Sequence, residues 1–105
     1  MKRGEIWWAQ LSLPAGARPV LLLSRDQAYA VRESVTVAPV TTRKRGLAAE
    51  VKLTVRDGMP KDCVINLDSI ATIEKGSLTD RICELSPEKM DEVHQAIQFT
   101  LDLPS

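Results

Sequence analysis

Arg18 stands directly ahead of Pro19 and the apolar run Val20-Leu21-Leu22-Leu23. A strand there would anchor the root of the side chain while its head reaches out of the preceding turn. A guanidinium so placed suits a phosphate, because its planar fork donates two parallel hydrogen bonds and never loses its charge. Thr41 and Thr42 close the alternating run Val35–Val40, and Arg43-Lys44-Arg45 follows at once. Two hydroxyls at a strand end beside three cations offer a second hold on a phosphate oxygen. The competing reading is bland: arginines before strands are common, and a basic loop is usually a solvated turn. These residues alone leave both readings open.

Other chemistries find little footing. There is no GxSxG, P-loop, GxGxxG or HExxH motif, which removes the usual serine hydrolases, nucleotide folds and zinc proteases. The single histidine, His94, falls near the edge of a helical apolar stripe, where a structural role is the ordinary one. Cys63 and Cys83 form no CxxC and have no histidine nearby in sequence, so they are expected to be reduced, buried and free of metal. No cofactor is expected. The formal net charge is zero, yet residues 1–56 hold ten Lys and Arg against four acids while residues 57–105 hold four against ten. A basic face for a polyanion is therefore compatible with a neutral chain, unless folding interleaves the two halves.

The elements that must position these residues are mostly short strands. Glu5–Leu11 is dense in apolar and aromatic residues. Of the adjacent Trp7 and Trp8, one is expected to enter the core and the other to face the surface or an interface. Leu13–Ala17 is a Pro- and Gly-containing turn. Pro19–Ser24 reads as a strand buried on both faces, with Pro19 at its first position. Arg25–Arg32 suits a helical turn or two. Val35–Val40 and Ala49–Val55 alternate, the latter placing Val51, Leu53 and Val55 on one face. Asp57–Pro60 is a turn, and Cys63–Leu67, Ala71–Ile73 and Arg81–Leu85 are short strands. Ser86 then suits an N-cap and Pro87 the first helical position. Met90, Val93, Ile97 and Leu101 make one apolar stripe on the helix that follows. At 105 residues this predicts one domain, a mainly β antiparallel barrel with a C-terminal helix. No apolar run is long enough to span a membrane, and no signal peptide is evident, so residence in the cytoplasm is expected.

The order of segments resembles the MazF/PemK family of toxin endoribonucleases of type II toxin–antitoxin systems. The matching pieces are Arg3-Gly4-Glu5-Ile6-Trp7, Arg18-Pro19-Val20 opening a strand that ends in Ser24, and Val37-Ala38-Pro39-Val40-Thr41. Further along come Lys61–Ile70, Ile73-Glu74-Lys75, Leu78, and Leu85–Met90 leading into the last helix. Each is weak alone; as an ordered set from residue 3 to residue 101 they are specific. The resemblance implies an SH3-like barrel, a homodimer, a cognate antitoxin partner, and metal-independent, sequence-specific cleavage of single-stranded RNA by attack of the substrate's own 2′-hydroxyl. It makes Arg18 the catalytic arginine and Thr41 its hydroxyl partner. Thr42, Arg43, Lys44 and Arg45 would then contact RNA, and by position so would Asp68 and Ser69.

Two departures stand out. The family's longer first loop carries a Gly-Ser-Glu element ahead of the Arg-Pro; here the loop is only Leu13–Ala17 and has no glutamate. The general base is therefore unassigned. Where the family often has Glu-Gln-Ile-Arg, this chain has Asp68-Ser69-Ile70-Ala71, so base preference does not carry over. The reading from another class is a non-catalytic toxin or nucleic-acid-binding module on the same barrel, acting by binding its target.

Overall fold

The computed structural model describes residues 1–11 and 16–104. Seven strands and two helices follow in the order β1 (Glu5–Gln10), β2 (Ala17–Leu22), α1 (Ala28–Val31), β3 (Ser34–Thr41), β4 (Glu50–Leu53), β5 (Cys63–Asn66), β6 (Ala71–Glu74), β7 (Leu78–Glu84) and α2 (Pro87–Thr100). Every pairing is antiparallel, in the spatial order β4-β5-β3-β2-β1-β7. The far edge of β3 is shared: β6 pairs its first half and β5 its last two residues. The result is a mainly antiparallel sheet curled into a half-barrel with α2 at its end. Most of the expected turn Leu13–Ala17 lies outside the described residues; Gly16, at φ +64°, leads into β2, whose first residue is Ala17.

The unbroken apolar run of β2 is buried on both faces, as the sequence predicts. Leu21 and Leu23 enter a first core with Ile6, Val40, Val51, Leu53, Ile65 and Val93. Val20 and Leu22 enter a second with Ala9, Tyr29, Val35, Val37 and Leu78. Each such fully buried side chain contributes about 1.5–3 kcal/mol. α2 closes the first core through Val93 and Ala96, and α1 supplies Tyr29 to the second.

Several expectations need correction. Pro19 is the third residue of β2, not the first. It is tolerated because the β2–β3 register begins only at Val20, leaving β1 as its one neighbouring strand. Val55 leaves the face of Val51 and Leu53: β4 ends at Leu53, and Val55 starts a 3-10 turn, 64% exposed. Leu101 caps the end of α2 and is exposed, so Ala96 rather than Leu101 completes the buried stripe. Ser86 does cap α2, its Oγ accepting from Lys89 N at 3.1 Å, with Pro87 first in the helix. Cys63 and Cys83 are free thiols in the first core, and burial pushes both pKa values up. No helix among the described residues is long and apolar enough to cross a membrane.

Candidate functional site

A pocket of about 370 Å³ opens where the first core reaches the end of the barrel. Arg18 and Pro19 of β2, Val40 and Thr41 at the end of β3, Thr42, and Trp8 of β1 line one part of it. Met59, Pro60, Lys61 and Cys63, on the approach to β5, line the rest. The topology requires this convergence. Thr41 pairs with Val64, so the segment just ahead of β5 must arrive beside the end of β3.

Arg18 is exposed, and its guanidinium makes only a long contact, Nη1 to the Ala17 carbonyl at 3.4 Å. The residue lines the pocket, and its remaining guanidinium donors have no partner among the described residues. Thr41 is half-buried, and its Oγ1 accepts from Arg43 N at 3.1 Å. That bond occupies a lone pair and leaves the hydroxyl proton free to donate. Thus two donors of different strength flank one opening. Among the described residues the lining includes two cations and no carboxylate, the balance expected for an anionic ligand.

Sequence reading missed Lys61 as a site residue. It reaches the pocket through a locally built turn. Thr54 Oγ1 accepts from Arg56 N at 3.2 Å while Asp57 Oδ2 accepts from Thr54 N at 2.8 Å, a reciprocal capping box. Gly58 ends it at φ +102°, where a Cβ would stand 2.6 Å from Cys83 Cβ. Only glycine fits that approach, and it delivers Met59-Pro60-Lys61 to the pocket wall. The available signal was Asp57-Gly58 ahead of a strand; the missing information was which strand Thr41 would pair with. Lys61 also answers the charge question: folding joins Arg18 from the basic half to Lys61 from the acidic one.

The other expected residues fall in three places. Thr42 lines the pocket. Arg43, Lys44 and Arg45 do not line it; they form an exposed loop beside it. Lys44 Nζ lies 3.9 Å from Asp62, the neighbour of Lys61. Glu50 holds this loop by accepting from the backbone of Arg45, Gly46 and Leu47 at 2.9–3.3 Å. Asp68 and Ser69 stand apart, in a 3-10 turn at the opposite end of β5. There Thr100 of α2 donates to Asp68, and Asn66 Nδ2 donates to Ser69 Oγ at 3.2 Å. They are not part of the pocket. His94 is exposed and meets Arg3 Nη2 at 3.1 Å, likewise outside it.

Residues 2–101 match the family described as PemK-like, MazF-like toxins of type II toxin–antitoxin systems. The chain belongs to this family. It is 40% identical to a probable endoribonuclease MazF2 of Mycobacterium tuberculosis, over 93% of this chain and 95% of that one. It is 37% identical to endoribonuclease EndoA of Bacillus subtilis, over 98% and 96%. The fold superposes on the M. tuberculosis toxin MazF-mt6 with a TM-score of 0.89, at 36% identity over 96% of this chain and 99% of that one. A mycobacterial endoribonuclease solved with its cognate antitoxin aligns at a TM-score of 0.88 and 27% identity, over 100% and 98%. That neighbour shares the half-barrel and C-terminal helix of this chain.

Proposed function

We propose that this PemK/MazF toxin is an endoribonuclease that cuts single-stranded RNA at preferred sequences, with the substrate's 2′-hydroxyl as nucleophile and no metal required. The observation that supports this best is the convergence of Arg18, Thr41 and Lys61 on one opening with no carboxylate among the described residues of its lining. The 2′-hydroxyl gives its proton to solvent water as its oxygen attacks the adjacent phosphorus, the bond to the 5′-oxygen breaks, that oxygen takes a proton from water, and a 2′,3′-cyclic phosphate and a 5′-hydroxyl end remain. The phosphorane gathers a second negative charge on its equatorial oxygens. Arg18 opposes that charge with a bidentate fork and Thr41 donates to an oxygen, interactions that strengthen as the charge develops. Because the substrate supplies the nucleophile, an activated Ser, Cys or His is not needed. Among the described residues the lining also holds no imidazole, and in this reading acceleration rests on stabilising the phosphorane more than on a strong base.

In this reading Arg43, Lys44 and Arg45 grip flanking phosphates and position RNA without selecting bases. Asp68 and Ser69 reach RNA only where it runs past the pocket to the far end of β5. The chain works as one domain over residues 1–105, as a homodimer in the cytoplasm, restrained by a cognate antitoxin whose acidic segment competes for the same cations. The test is incubation of the purified protein with a long single-stranded RNA in EDTA. Discrete cuts, suppressed by antitoxin and absent from duplex RNA, support the reading. An uncut RNA that is nevertheless bound would favour the non-catalytic alternative.

A further inference from the structure

Trp8 is used by neither the core nor the phosphate chemistry. By strand alternation Ile6 and Trp8 share the face of β1 that looks into the first core. Ile6 is fully buried there, whereas Trp8 emerges at the mouth, 37% exposed, in the wall of the pocket. Across the strands it pairs with Pro19 of β2, the residue next to Arg18, and on its other side with Asp80 of β7. Trp7 shows how β1 employs an indole with a structural task. It is half-buried against the second core, and its Nε1 donates to Glu5 at 3.1 Å. Trp8 Nε1 has no such partner among the described residues.

We propose that Trp8 is a stacking platform for one nucleobase, so that the pocket seats a single nucleotide step. The base lies against the indole, and its phosphate lies at Arg18, Thr41 and Lys61. This rests on the RNA reading above and names the residue that holds a base within it. A volume near 370 Å³ falls in the usual range for small-ligand seats, about 300–1,000 Å³. An aromatic face beside cations on a strand end is the arrangement by which proteins hold single strands. Every base offers a π-face, so Trp8 supplies grip and alignment for attack, while base preference comes from other residues. An acidic peptide would seek the same cations but gains little from an indole face, which favours RNA as the occupant.

The test uses a 2′-O-methyl oligonucleotide spanning a cut site mapped in long RNA, so that binding is read without cleavage. In a Trp7→Phe protein Trp8 is the sole tryptophan, and its fluorescence should quench saturably on titration. Should that variant misfold, the difference in quench between wild type and Trp8→Phe serves instead. Trp8→Ala should weaken binding about 5- to 100-fold and Trp8→Phe much less, from the usual worth of one stacked base. An abasic residue placed in turn along the oligonucleotide should show one position whose penalty vanishes in Trp8→Ala. Additive penalties at every position, or unchanged binding by a folded Trp8→Ala protein, overturn the platform while leaving the ribonuclease reading intact. Fluorescence that answers to an antitoxin peptide but not to RNA overturns it in favour of a protein interface. If the wild type neither binds nor cuts RNA, the ribonuclease reading fails and the platform fails with it.

Discussion

Replacing Arg18 should separate folding from catalysis. Its side chain is exposed, and its contact with the Ala17 carbonyl is 3.4 Å long, too long to be a strong charge-assisted bond. Removing it should change stability by no more than about 0.5 kcal/mol, the ordinary range for such surface positions. For a domain of this size that is a melting shift under about 4 °C. Catalysis should respond differently. A donor aimed at developing charge is worth about 10²–10³ in rate, or about 2.7–4 kcal/mol. Arg18 supplies both the charge and the fork, so Arg18→Ala should lose about 10³. Arg18→Lys keeps a charge but cannot span two oxygens, and should stay below about a tenth of the wild-type rate. The assay is single-turnover cleavage of an end-labelled RNA in EDTA, beside circular-dichroism melts of each variant. A folded Arg18→Ala protein cutting at more than about a tenth of the wild-type rate would refute the reasoning.

Replacing Arg43, Lys44 and Arg45 together by Ala should weaken RNA binding and reduce the salt slope by up to ~2 to 3 units, with cut sites unchanged; filter binding across a salt series reads this, and antitoxin affinity should fall in the same protein. Glu5 is 6% exposed; burial pushes its pKa up, but hydrogen bonds from Trp7, Arg81 and the Lys2 amide, with the nearby N-terminus, outweigh that and hold it below the usual 4.5. A depressed folded pKa stabilises above the ordinary carboxylate range and loses that stabilisation as pH falls through the depressed value. Glu5→Gln should therefore cost about 1–3 kcal/mol at neutral pH, and paired denaturant melts should show the gap closing as pH falls below the ordinary carboxylate range and through the depressed value. Gly58→Ala should cost about 2 kcal/mol or more, since its φ of +102° and the 2.6 Å approach to Cys83 Cβ both oppose a side chain; its melts should drop while wild type at the same pH does not.

The parts of the fold legible in sequence are those governed by local rules. The apolar run of β2 announced burial on both faces, and Ser86-Pro87 announced the start of α2. Misreadings arose where a pattern continued past the element that made it. Val55 kept the alternation of Val51 and Leu53 after the strand had ended, and Leu101 kept the helical stripe after α2 had ended. At the site, Arg18, Thr41 and Thr42 were legible because each sits at a strand end visible in sequence. Lys61 and Trp8 were not recognised as pocket residues, because their place depends on pairing between β3 and β5 and between β1 and β2. Such register is non-local and leaves no mark near either residue. Asp68 and Ser69 were carried over by family position, and the register of β5 puts them at its other end from the pocket.

In the proposed reaction this pocket directs the substrate's own 2′-hydroxyl onto the adjacent phosphate. The most direct measurement replaces only the nucleotide on the 5′ side of a mapped cut by its 2′-deoxy form, in EDTA, and analyses the ends left on the unmodified RNA. The deoxy substitution should abolish that cut while others persist, and unmodified RNA should yield 2′,3′-cyclic phosphate and 5′-hydroxyl ends. Cleavage of the deoxy-substituted chain at the same bond, or 5′-phosphate ends from the unmodified one, would contradict it.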